Sequence, residues 1–242
     1  MPVLALDTSA AVAVALTTDD GAPLAARRVT EQRRHAELLA PMVADVLRDA
    51  GVDRRAVTAV VVGTGPAPFT GLRVGLVTAR TLAVALGVPV LGVPSLDALA
   101  AQAADDLGLG SGTEVLVATD ARRREVYWAR YRVGAVPPPG TRTGTGAGTA
   151  REVDVVTPPA VARPGQLADD GAADGAVVVG RGATLYPDSL PPAAGAPLDP
   201  DPAVLAGLAL ARRARGLPLP GEPLYLRRPD VMEPAARKRA LG

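Results

Sequence analysis

Apolar residues recur along the chain in two rhythms. Runs at 3–6, 11–16, 24–29, 57–62 and 90–93 are short, rich in Val, Leu and Ala, and bounded by Asp, Gly or Pro, which predicts strands. The first three are joined by tight connections, with a turn at Asp19-Asp20-Gly21, and predict an antiparallel meander. Residues 31–50 instead carry Leu38, Leu39, Met42, Val43, Val46 and Leu47 at i, i+3, i+4, i+7 spacing, with Gly51 as a stop, which predicts a helix. A second helix is predicted at 70–86 and a third from Ser95 to about Asp106, so the first half reads β-β-β-α-β-α-β-α.

After the Gly108–Gly112 break the strand rhythm returns at 114–119 and at 125–133, the latter with Tyr127, Trp128 and Tyr131. Residues 136–150 alternate Gly, Thr and Pro and read as a low-complexity flexible loop. A strand at 153–156, a weak helix at 159–168, a strand at 176–179, a helix at 203–215 and an extended tail at 223–228 follow, before a polar end at 232–242. Two strands end in a carboxylate, Leu6-Asp7 and Thr119-Asp120, which suggests two similar lobes, 1–107 and 108–242.

The 70–86 helix is unusual. Gly71, Gly75, Ala79 and Ala83 recur every four residues and draw one stripe of very small side chains. Glycine inside a helix costs about 1 kcal/mol relative to alanine, and close approach of another backbone is the usual compensation. Leu72, Val74, Leu76, Val77, Leu82, Val84 and Leu86 make the helix apolar nearly all round, broken by Arg73 and Arg80. Such a helix is buried either in its own core or under a partner; we read it as a docking helix and, with those two arginines, short of a membrane span.

Composition narrows the chemistry. At 242 residues, 48% hydrophobic and 21% charged, the chain suits a globular protein whose core, with 2% aromatics, is filled by aliphatic residues and alanine. The net charge of +1 supplies no overall attraction for nucleic acid, and the N-terminus lacks the pattern of a signal peptide, so a cytoplasmic location is expected. There is no cysteine and one histidine, His35, so neither a Cys/His metal cluster nor a thiol nucleophile can be built. The glycine-rich turn at 63–71 fails the Walker pattern, because the second glycine falls on Thr70 and no lysine follows, and fails the dinucleotide pattern at Pro68. Asp7-Thr8-Ser9 could organise Mg²⁺ and phosphate at a strand end, or could simply bond its own turn. Asp120-Ala-Arg-Arg-Arg-Glu125 reads as a salt-bridged hairpin, with an anion or RNA phosphate contact as the sharper alternative.

Several segments stand together in one order: Leu4-Ala-Leu-Asp-Thr-Ser9, Arg34-His-Ala-Glu-Leu-Leu39, Gly63-Thr-Gly-Pro-Ala-Pro-Phe-Thr-Gly-Leu-Arg-Val-Gly75, Pro94-Ser-Leu-Asp97, Asp120-Ala-Arg122 with Glu125-Val-Tyr127, and Pro223-Leu-Tyr-Leu-Arg227. In these the chain resembles the bacterial TsaB (YeaZ-type) family over nearly its whole length, departing at Pro68 and in the 136–150 loop. The resemblance implies an α/β, actin-like (ribonuclease H-like) fold of two lobes with mixed sheets flanked by helices. It implies a dimerisation subunit, not itself catalytic, of the machinery that places threonylcarbamoyl on adenosine 37 of tRNA. The implied partners are a TsaD-like catalytic subunit, a TsaE-like ATPase and, through them, tRNA, with a homodimer when alone and no membrane. No metal or cofactor of its own is implied, ATP and Mg²⁺ being bound by the partners.

In the family the first two helices dock on the catalytic subunit, which maps an interface onto His35, Leu38, Leu39, Met42, Val46, Gly71, Leu72, Arg73, Gly75, Leu76, Ala79, Arg80 and Ala83. Asp7, Thr8 and Ser9 become a vestigial nucleotide site. Two rival readings stand beside this one: an autonomous ATP-dependent phosphotransferase using Asp7, and a glycoprotease-type peptidase depending on His35.

Overall fold

The predicted meander forms from β1 (Val3–Asp7), β2 (Val12–Thr17) and β3 (Pro23–Val29), paired antiparallel with Leu6 opposite Val14 and Ala15 opposite Ala26. The computed structural model describes residues 1–30, 34–135 and 150–227. β4 (Ala59–Gly63) and β5 (Val90–Val93) join in parallel beside β1, giving the order β3-β2-β1-β4-β5. Parallel pairing needs crossovers, and α1 (His35–Asp49) and α2 (Phe69–Leu86) provide them on one face of the sheet. β1, β2 and β4 are buried throughout, which is why they read as unbroken apolar runs.

A second sheet repeats the plan. β6 (Glu114–Asp120), β7 (Val126–Val133) and β8 (Val153–Ala162) pair antiparallel, β9 (Ala176–Val179) lies parallel to β6, and the order is β8-β7-β6-β9. This is an actin-like, two-lobed α/β fold. The lobes exchange helices: α3 (Ser95–Asp106) lies against β6, β7 and β8, whereas α6 (Pro202–Ala214) lies against β1, β2, β4 and β5 and against α3. Enclosure between two sheets explains the alanines of α3, where Ala98, Ala100, Ala101, Ala103 and Ala104 are all fully buried.

One polar cluster joins these helices. Tyr131 donates to Asp97 Oδ1 at 2.9 Å and Arg212 Nη1 to Asp97 Oδ2 at 2.8 Å, while Glu152 receives Arg212 and Arg215. Burial pushes the Asp97 carboxyl above its ordinary value, opposed by Arg212, and pushes the Tyr131 hydroxyl well above its own.

Several expectations change. The first helix begins at His35, its expected start at 31–33 lying outside the described residues, as do 136–149 of the loop and the polar end. The helix expected at 159–168 is a correction: β8 runs on to Ala162 through Pro158 and Pro159, and α4 (Pro164–Asp169) follows. Prolines are tolerated there because β8 is an edge strand. α5 (Arg181–Leu185) is too short to leave a periodicity. α2 gains Phe69 and reaches 18 residues, long and apolar enough by length and composition to cross a membrane, which corrects the shorter expectation. Its Leu72, Gly75, Leu76, Ala79 and Ala83 are buried in the first lobe. Residues beyond α6 cover the free edge of β5, where Gly92 N donates to Leu219 O at 3.0 Å.

Candidate functional site

Asp7 ends β1, but its carboxylate does not face the cleft between the lobes. Oδ1 accepts from Ser9 N at 2.8 Å and Ser9 Oγ at 2.6 Å, and Oδ2 accepts from Ser95 Oγ at 2.6 Å. The residue is 1% exposed, and burial raises its pKa against the lowering effect of those hydroxyls. A Cβ on Gly63 would overlap the carboxylate and lie 2.7 Å from Ser95 Oγ. Asp7 is thus a tie between β1, β4 and the start of α3. Of the three residues expected in a nucleotide site, Thr8 and Ser9 line the cleft and Asp7 does not.

Thr8 explains the small-residue stripe. Its hydroxyl donates to Gly71 O at 2.8 Å and accepts from Gly75 N at 3.2 Å, the two groups that a regular helix would join to each other. A Cβ on Gly71 would lie 3.1 Å from Thr8 O, and one on Gly75 would overlap Thr8 Oγ1. Gly71 and Gly75 therefore make room for the chain's own Thr8, just past β1, while Ala79 and Ala83 pack in the first lobe's core.

That outcome divides the expected interface. Leu39, Met42, Val46, Leu72, Gly75, Leu76, Ala79 and Ala83 are buried in the first lobe's core, with no surface to offer a partner, because they are the faces of α1 and α2 turned onto the sheet. His35, Leu38 and Gly71 are half-buried, and only Arg73 and Arg80 of the expected set are exposed. Apolar residues that do face outward include Ala36, Ala40 and Ala44 on α1, one turn apart, and Val77 and Val84 on α2, 61% and 84% exposed. A groove of about 540 Å³ lies beside α2, lined by Ala36 of α1 and by Phe69, Thr70, Arg73, Val74, Val77 and Thr78. Arg73 stacks 3.7 Å over the Phe69 ring and donates to Tyr225 Oη at 3.0 Å, and Arg80 donates to Gly221 O at 2.9 Å, so the 221–225 segment borders this face.

The second surface is the cleft at the ends of β1 and β6, about 130 Å³ in volume. Thr8, Ser9, His35, Thr70 and Gly71 line it from the first lobe, and Thr119, Asp120, Arg122 and Arg181 from the second. Both arginines are already paired, Arg122 with Asp120 at 3.0 Å and Arg181 Nε with Asp199 Oδ1 at 2.9 Å. Sequence reasoning placed Thr8 and Ser9 here and noticed Asp120, but missed Thr70, Thr119 and Arg181, which belong to elements remote in the chain.

The chain is 41% identical over 233 residues to an uncharacterized protein of Mycobacterium tuberculosis, spanning 95% of this chain and 93% of that one. It is 33% identical over 190 residues to the tRNA threonylcarbamoyladenosine biosynthesis protein TsaB of Escherichia coli, spanning 78% of this chain and 74% of the relative. The chain belongs to the TsaB family. The solved structure of YeaZ from Pseudomonas aeruginosa superposes with a TM-score of 0.71 at 32% identity, over 93% of this chain and all of that one. A second P. aeruginosa structure, described as similar to peptidase YeaZ, gives 0.72 at 35% identity, over 93% and 99% of the two chains. A family model described as TsaD, tRNA N6-adenosine threonylcarbamoyltransferase, matches residues 28–137. In this TsaB-family chain that match runs from the end of β3 through β7 and so includes both helices of the outward face.

Proposed function

We propose that this chain is a non-catalytic scaffold subunit in the synthesis of N6-threonylcarbamoyladenosine on tRNA, the process named for its Escherichia coli relative. It docks through α1 and α2 onto a TsaD-like catalytic subunit, and through that complex supports a TsaE-like ATPase and reaches tRNA in the cytoplasm. The observation that carries this reading is the outward face of two adjacent helices, where Ala36, Ala40 and Ala44 lie beside the groove bearing Val77. Small residues let a partner helix approach to about 8–10 Å, and exposed valines supply the apolar area. In the absence of the partner the same face pairs two copies of the chain.

ATP and Mg²⁺ belong to the partner subunits in this reading. Both Asp7 oxygens are engaged within the lobe, and a cleft of about 130 Å³ is small beside the roughly 300–1,000 Å³ of ordinary ligand pockets. These features favour the scaffold reading over the phosphotransferase alternative, and tight ATP binding to the isolated chain in calorimetry would reverse that preference. The docking test is Val77→Glu together with Ala40→Glu. An unpaired charge buried at an interface weakens association by about 100-fold. We expect co-purification with the TsaD-like subunit to be lost while the variant melts at the wild-type temperature. Undiminished association would reject the docking face.

A further inference from the structure

The sequence Asp120-Ala-Arg-Arg-Arg-Glu125 and the strained turn it forms have no part in the docking face. β6 and β7 are joined by a hairpin closed by Ala121 N to Glu125 O and Glu125 N to Arg122 O, each 3.0 Å. Arg122, Arg123 and Arg124 have φ of 63°, 55° and 60°, three successive left-handed residues without a glycine among them. The turn is held from both sides. Asp120 Oδ1 accepts from Arg122 N at 2.7 Å, and Arg227 donates to Ala121 O at 3.0 Å and forms an ion pair with Glu125. β8 pairs Ala162 with Val126, so Arg163, also exposed, stands beside the hairpin.

We infer that this hairpin and Arg163 form a contact for the phosphate backbone of RNA. Five arginines, Arg122, Arg123, Arg124, Arg163 and Arg227, gather around two carboxylates, Asp120 and Glu125. Arg122 and Arg227 neutralise those carboxylates, while Arg124 and Arg163 carry no ion pair among the described residues. A chain of net charge +1 thus concentrates positive charge at one end of one sheet. Guanidinium forks suit phosphate oxygens, and Tyr127 and Tyr131 of β7 are buried, so the patch has cations to meet a backbone and no exposed tyrosine on β7 on which bases could stack. Glycine would relieve the left-handed strain at Arg124, so the arginine there is held against its backbone preference.

The choice of tRNA as the RNA rests on the function proposed above. The test is fluorescence anisotropy of an unmodified tRNA transcript across a salt series, with the full chain alone and mixed with its TsaD-like partner. Arg124→Glu/Arg163→Glu is expected to lower affinity about ten-fold and to flatten the log–log salt dependence by about 1.5, since each lost phosphate contact removes roughly 0.7–0.9. Arg54→Glu/Arg55→Glu, on the turn before β4, should change either far less. Arg124→Gly should bind more weakly yet melt no lower than wild type, an outcome that a purely structural role would not give. Unchanged affinity and slope, or no tRNA binding by wild type in either form, would overturn the inference. An equal charge-dependent loss with polyglutamate would also overturn it, assigning an acidic protein surface instead. If the partner fails to associate, the docking proposal falls, while the hairpin is still read from the chain alone.

Discussion

Asp7 and Asp120 occupy matching places, each at the end of the first strand of its sheet, and their fates are opposite. In the first lobe β1 pairs with β4 up to Leu6 and Val62, so Gly63 lies alongside Asp7 and α3 supplies Ser95 above it. In the second lobe β6 stops pairing with β9 at Val117 and Val179, three residues before Asp120, which projects into the cleft with its side chain 18% exposed. The same strand-end carboxylate becomes an internal tie where the neighbouring strand keeps pace with it, and a surface group where that strand ends early.

The comparison breaks most severely at Gly63. Gly63→Ala drives a methyl into the Asp7–Ser95 pair, two short buried side chains held in place by their hydrogen bonds, so a loss of about 3 kcal/mol is expected in urea unfolding. Asp120→Asn, at the matching strand end, should stay within about 0.5 kcal/mol, because Asn keeps an Oδ1 to accept from Arg122 N and the lost ion pair with the exposed Arg122 contributes little. A loss at Asp120 as large as that at Gly63 would remove the distinction.

A middle effect is expected at the α2 contact. Gly75→Ala should lower stability by about 1–3 kcal/mol, because its methyl overlaps Thr8 Oγ1. Adding Thr8→Ala removes the obstructing hydroxyl, so the double variant should be more stable than the sum of the single losses predicts. Strict additivity would show that Thr8 and Gly75 are not in conflict.

The smallest effect lies in pH dependence. Burial holds the folded Asp7 pKa above its ordinary value of 3.8, so the folded state binds the extra proton between those two values. The contribution of Asp7 to stability is therefore full below about pH 4 and is lost as pH rises through the folded value. Asp7→Asn should abolish this decline, so wild-type stability minus that of the variant should fall from pH 4 to pH 7. A difference that is flat, or that rises, would contradict the buried assignment.

Much of this architecture was legible in the order of residues. Helical spacing at 38–47, the strand-length runs around it and the second strand-end carboxylate led to two lobes of mixed sheet, because periodicity reports which side of an element is buried. Gly71 and Gly75 announced a close approach for the same reason. What the spacing could not report was the identity of the approaching group, and it proved to be Thr8 rather than a second subunit. A burial pattern reads the same whether the cover is the chain's own sheet or a neighbour.

By itself, then, the sequence determined most of the elements, which of their faces are apolar, and the absence of cysteine and metal-ligating histidine clusters, all properties of local spacing and composition. Tertiary structure alone decided that Val77 and Ala40 face outward, that α3 and α6 change lobes, and that Arg163 joins the hairpin arginines. Those facts depend on register and packing between residues far apart in the chain, which no local pattern encodes.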